Sequence, residues 1–245
     1  IASCLVGSEM CIRDRVYALC YDKMRAASER YYRRFPEHRD VMRRLVDQAA
    51  AGEIVLPDGE VVSPSRLRSV GSALGTNDGW QTVWSLLERD PASNAFRHDL
   101  MHAMPYGGRN PLYFAFHESS YASGHATRWS AERTEPQDFR DDVTLFTGEH
   151  IRREWTETVP AFQPWRDVTL ALADFEWPRI YNEVAIAASG ATGAAAVYVN
   201  DVYVPMEFSL ETARLLPGVE LWVTSEHEHN GVRSGPVLTL SLIHI

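Results

Sequence analysis

The sequence predicts an α/β chain of uneven layout, a long helical stretch followed by one strand–helix–strand unit. Three observations predict it. Apolar residues recur at three- and four-residue spacing through much of the first 188 residues. Two short runs after Gly190, Gly193 to Val199 and Val219 to Thr224, are small, β-branched or apolar as strands require. Between them, Ser209 to Leu216 carries a helical pattern opened by Ser209 and stopped by Pro217-Gly218. Strand, helix and strand in that order make a parallel crossover.

Along the chain, Tyr17, Cys20, Met24 and Ala27 mark one face of a helix from Val16 to about Arg34, closed by Pro36. Glu37 to Ala51 reads as a second helix ending at Gly52, and Ile54 to Val62 as a hairpin turning at Pro57-Asp58-Gly59. Ser63-Pro64 starts another helix, with Ser as cap and Pro in the first turn. Helices are expected over Gly79–Arg89, Ala92–Met104, part of Tyr113–Arg133, Asp167–Phe175 and Ile180–Ala187. The run Gly193–Val199 reads as a buried strand.

Composition excludes several classes. With 33 acidic residues against 24 Lys+Arg, the net charge of −9 opposes a surface that tracks phosphates, so no nucleic acid is expected as a partner. The arginine pairs at 33–34, 43–44 and 152–153 read as solvated helix faces. No apolar run approaches the roughly 20 residues of a membrane-spanning helix, and no membrane partner is expected. The two ends stand apart. Leu240 to Ile245 resembles the translation of a sequencing-transposon end, and Leu5 to Asp14 the reverse complement of such an end with its adapter. Residues 1–15 and 240–245 are therefore expected to be adapter-derived. Ile1 to Arg15 also lacks the basic start and continuous apolar core of a signal peptide. Setting the ends aside leaves Cys20 alone, which suits a reducing, cytoplasmic setting.

Active groups in open α/β sheets collect beyond the carboxyl ends of strands. Asp201 follows the first strand and His229 follows the second. A carboxylate that fixes the tautomer of an imidazole, which then serves as general base, is half of a hydrolase triad. The order Asp before His is the one that sheet hydrolases use. Spacing alone leaves an ester-cleaving hydrolase open, and equally a helical interaction module with no chemistry. A metal site in Glu226-His227-Glu228-His229 is not expected, because neighbours in a strand point to opposite faces and the helical His-Glu-x-x-His spacing is missing. No cofactor is expected.

Three further stretches carry a specific likeness. Ala196 to Val204, Trp222 to Arg233 and Phe146-Thr-Gly-Glu-His150 together resemble the longer type of prolyl aminopeptidase (proline iminopeptidase), of the α/β-hydrolase superfamily. Pro111 to Tyr121 and Trp177 to Tyr181 fit the same type, and the likeness runs from about Val16 to Val237. It implies a partial α/β-hydrolase fold, with a helical cap domain over 16–188 and the C-terminal part of the core over 189–239. It implies a peptide substrate with a free N-terminal proline, the triad acid at Asp201 and the base at His229. His227 falls where the family carries an aromatic residue. Glu118 and Glu149 match the cap acids that hold the prolyl ammonium, by charge-assisted hydrogen bonds worth about 1.5–3 kcal/mol each. The same likeness places the Gly-x-Ser-x-Gly nucleophile elbow and the oxyanion-hole glycines upstream of residue 16. No Gly-x-Ser-x-Gly occurs in the 245 residues, so the chain is expected to be a fragment, inactive alone. Aromatics such as Tyr113, Phe114, Phe116 and Tyr203 could line an apolar slot for the pyrrolidine ring, but such residues are more often core.

Overall fold

The computed structural model describes residues 12–107, 110–235 and 237. The expectations for residues 1–11 and 240–245 lie outside the described residues.

Helix α1 (Ile12–Arg34) is the spine, with Tyr21, Met24, Ala27 and Tyr31 turning one fully buried stripe into the main core. It begins four residues before the expected start at Val16, and Arg15 forms an ion pair with Glu211. Helix α2 (His38–Ala50) packs Met42, Leu45, Val46 and Ala49 on the same core and ends at Gly52, whose φ of 73° only glycine adopts without strain. The expected hairpin over 54–62 is reduced to a single antiparallel bridge, Val55 to Val61, around the turn at Gly59.

Ser63 caps α3 (Pro64–Arg68) by accepting from the Arg66 amide at 3.3 Å, with Pro64 in the first turn. A 3-10 helix over Ser69–Gly75 leads to α4 (Gly79–Leu87) and α5 (Asn94–Ala103), the latter capped by Ser93. Asn110 caps α6 (Pro111–His117), and a 3-10 turn over Glu118–Tyr121 continues it. Four short helices follow: α7 (Ser130–Arg133), α8 (Gln137–Asp141), α9 (Trp155–Thr158) and α10 (Arg166–Asp174). Of these, α8 and α9 are not predicted by periodicity. Phe139 on α8 is held by the Tyr21 ring at 4.8 Å, and Trp155 on α9 donates its indole N–H to Ser65 at 2.8 Å. A second core gathers Phe114, Trp155 and Phe162, the two phenyl rings stacked at 4.2 Å.

After α11 (Glu183–Ala187) come β1 (Thr192–Tyr198), α12 (Met206–Leu215) and β2 (Gly218–Thr224), then α13 (Gly231–Ser234). The strands pair in parallel from Thr192 opposite Gly218 to Tyr198 opposite Thr224. Two expectations are corrected here. Only Val197 and Tyr198 of β1 are buried, because among the described residues the strand has β2 as its one sheet neighbour. Ser209 lies inside α12 rather than capping it, since Pro205 stands at the cap and the helix starts at Met206. Among the described residues, no helix is long and apolar enough to cross a membrane.

Gly71 shows how tightly the 3-10 segment is wedged. A Cβ there would lie 2.7 Å from the Thr147 carbonyl oxygen and closer still to Phe146 Cβ. Backbone and a core ring root cannot yield as a flexible chain end would. Gly71→Ala is expected to destabilise the fold by about 1–3 kcal/mol, read as a lower midpoint in urea unfolding.

Candidate active site

Asp201 sits in the turn that follows β1 and is 3% exposed. A carboxylate so buried needs donors from the protein. Its Oδ1 accepts from the amides of Tyr203 and Val204, both at 2.9 Å, which shapes the turn around the side chain. Its Oδ2 is 2.8 Å from Nδ1 of His229, in the loop after β2. The His229 amide donates to the Gly75 carbonyl at 2.9 Å, anchoring the loop on the helical segment. The imidazole side chain is 48% exposed, and among the described residues its Nε2 edge takes no hydrogen bond.

The hydrogen bond to Asp201 raises the His229 pKa above the ordinary imidazole value, against the opposing effect of burial; the charges of Asp201 and Glu149 add to the rise. A carboxylate can only accept, so Nδ1 carries the proton toward Asp201 and Nε2 is the basic nitrogen of the neutral ring. Such an imidazole can accept a proton from a hydroxyl and return it to a leaving group.

Tyr203 and Gly75 complete the support. The Tyr203 hydroxyl donates to the Ser72 carbonyl, and its ring meets the His229 ring edge-on at 5.1 Å. That ring fills the space over Gly75, where any Cβ would collide with it. Val202 enters the main core, and Cys20 on α1 lies 3.8 Å from the Tyr203 carbonyl. The turn is thus pinned at every residue from 201 to 204.

Glu149 lies within electrostatic reach of this pair. Burial raises its pKa from 4.5 to about 7, with Asp201 adding to the rise and His229 opposing it. The loop that carries it is held on both flanks. The Thr147 amide donates to the Arg68 carbonyl at 3.0 Å, and the Gly148 amide to Nδ1 of His150 at 3.1 Å. The His150 ring packs on Tyr21 at 4.1 Å, and Arg152 reaches Glu135 at 2.5 Å. The Glu149 carboxylate is 3.9 Å from Nε2 of His117. Tyr106, with its hydroxyl buried, and Tyr113 feel the Glu149 charge as well, so this acid sits in an aromatic surround.

Glu118 is placed differently. It is 5% exposed, accepts from the Ala131 amide at 3.3 Å, and lines a small cavity with Thr127, Trp129 and Thr169. Its carboxylate serves the first turn of α7, while Glu149 is coupled electrostatically to the Asp–His pair. The 226–229 stretch is also corrected: it is a loop rather than a strand, so strict alternation does not govern it. His227 packs edge-on between Tyr198 and Trp222, at 6.3 and 6.2 Å, and His229 alone of the two meets Asp201. Among the described residues, Glu37, His38 and Glu88 bring metal-capable atoms within 4.8 Å of one another. There His38 is already engaged on both nitrogens, by the Tyr31 hydroxyl and Glu88, each at 2.8 Å. Of the aromatic surround, the sequence names Tyr203 only among aromatics read more often as core, and Tyr106 not at all, because a buried aromatic has the same pattern whether it faces a core or a site.

A carboxylate beyond one parallel strand holding an imidazole beyond the next is the acid–base half that serine hydrolases built on a sheet employ. Comparison with known proteins narrows this class. The chain is 28% identical over 235 residues to the proline iminopeptidase of Aeromonas sobria, covering 90% of this chain and 54% of that protein. It is 24% identical over 221 residues to proline iminopeptidase aneH of Aspergillus aculeatus, covering 84% of this chain and 49% of that protein. The resemblance to proline iminopeptidases thus extends over most of the chain, and the chain spans about half the length of these curated relatives. No family model matches it.

The raised Glu149 pKa gives a signed prediction. A carboxyl whose folded pKa exceeds its unfolded value favours the fold most below about 4.5, and that contribution is lost as pH rises to about 7. Glu149→Gln is expected to flatten this decline in stability, checked by urea unfolding of both proteins across that window.

Proposed function

We propose that this chain carries the acid, the base and the substrate-anchoring acids of a serine aminopeptidase that releases N-terminal proline from peptides. The observation that carries the reading is the 2.8 Å contact between His229 Nδ1 and buried Asp201, with Glu149 beside it. In this reading residues 16–188 form the helical cap and 189–239 the C-terminal part of an α/β-hydrolase core. The serine belongs to a further segment of the protein: no Gly-x-Ser-x-Gly occurs here, and the chain matches about half of its relatives.

The serine hydroxyl attacks the prolyl carbonyl while His229 Nε2 takes its proton. The carbonyl carbon–nitrogen bond then breaks, and His229 returns the proton to the departing peptide amine. Asp201 keeps the ring in the tautomer this requires. Water repeats the sequence on the prolyl ester and frees proline. Glu149 pairs with the substrate ammonium, a charge that an internal peptide bond lacks. The family likeness assigns the second ammonium-anchoring role to Glu118, whose carboxylate accepts from the Ala131 amide at the start of α7. Cys20, the one free thiol among the described residues, fits a cytoplasmic setting.

The complete protein is expected to hydrolyse a prolyl arylamide and to leave its N-acetylated form untouched. Equal rates on the two substrates would remove the ammonium-reading role. In that protein Asp201→Asn is expected to lower kcat by about 10⁴-fold, by allowing the wrong imidazole tautomer. Glu149→Gln should act chiefly on KM.

A further inference from the structure

The loop that presents His229 is fastened from the helical side by one exposed residue. Asn77 lies between the 3-10 helix and α4, and its amide group is used at both ends. Nδ2 donates to the Glu226 carbonyl at 3.2 Å, and Oδ1 accepts from the Glu228 amide at 3.0 Å. Its backbone amide donates to Oδ1 of Asn230 at 3.2 Å. With the bond from the His229 amide to the Gly75 carbonyl, residues 226, 228, 229 and 230 are all tied to the strip 75–77.

Helix capping does not account for this side chain. Asp78 holds the cap position of α4, and the side-chain bonds of Asn77 go to residues 226 and 228. The chemistry of asparagine is specific to the task. One flat group must donate in one direction and accept in the other, at a reach that serine cannot span and with no charge added beside Glu226 and Glu228.

On the far flank, Arg30 of α1 reaches Glu228 at 3.6 Å and donates to Oδ1 of Asn200 at 3.1 Å, just before Asp201. The acid turn and the base loop are thus bridged on one side by Arg30, and the base loop is clamped on the other by Asn77.

We infer that Asn77 is a positioning residue for His229, holding the 226–230 loop so that Nδ1 stays on Asp201 and Nε2 stays presented for proton transfer. The inference rests on the acid–base reading of that pair. Among the described residues, Asp201 and Glu149 are the charged groups acting on the ring, with Glu228 and Arg30 on the flank of its loop.

The test is NMR of the 245-residue chain with ¹⁵N-labelled histidine. The wild type is expected to show a far-downfield Nδ1 proton from the His229–Asp201 bond, and a raised His229 titration midpoint. In Asn77→Ala the downfield proton should be lost to exchange, and the midpoint should move down toward the ordinary imidazole value, while unfolding stays cooperative. A folded Asn77→Ala with both features unchanged overturns the inference and leaves the proposed chemistry standing. Should that variant fail to fold, Asn77→Ser keeps a polar turn residue without the reach, and the same two readings decide. Asp201→Asn sets the scale for complete loss. If it moves neither feature, the pair itself is refuted, and the positioning role falls with it.

Discussion

A carboxylate withdrawn from water at the end of a two-stranded sheet must be solvated by the protein, and the local architecture follows from how Asp201 solves this. One oxygen takes two backbone amides from the residues just ahead of it, closing the turn on itself. The other is left for a single donor from a different loop, which His229 supplies. Removing either set would leave a buried charge short of partners, which costs far more than a surface hydrogen bond contributes. The turn is therefore rigid for an electrostatic reason, and its rigidity is what aims the imidazole.

That local solution depends on contacts from the helical part of the chain. Helix α1 runs alongside the loops beyond the strands, with Lys23 donating to the Val199 carbonyl at 3.3 Å and Arg30 to Asn200. The 3-10 segment ending at Gly75 lies beneath them, taking the Tyr203 hydroxyl at Ser72 and the His229 amide at Gly75. Among the described residues the sheet has two strands and little core of its own, since only the last residues of each strand are buried. The helical layer supplies the missing burial at the end where precision is needed. It also brings Glu149 to the pair from a loop locked by His150 and Arg152.

Much of this was legible in the sequence wherever local chemistry decides the structure. Ser63-Pro64 and Gly52 marked their boundaries because caps, φ restriction and positive φ are properties of one or two residues. The strands and the crossover were legible from residue type, and the placing of Asp201 and His229 followed from strand ends. Glu149 came only through the family likeness, Tyr203 was read as core, and Tyr106 was not marked by any pattern. Helices α8 and α9 escaped because four or five residues carry no period; Phe139 and Trp155 are fixed by partners distant in sequence. The exposure of β1 was misjudged for the same reason, since a strand's neighbours are not written in its own residues.

Glu149 carries one last implication. With a pKa of about 7, it exists near neutrality as a mixture of acid and carboxylate. A cation settling beside it favours the carboxylate and so expels a proton to solution. The heat of such an association would then depend on the ionisation enthalpy of the buffer, and its apparent strength would rise as the medium turns alkaline until the cation itself loses its charge. A partly exposed acid that titrates near neutrality thus makes recognition of charge also an act of proton release.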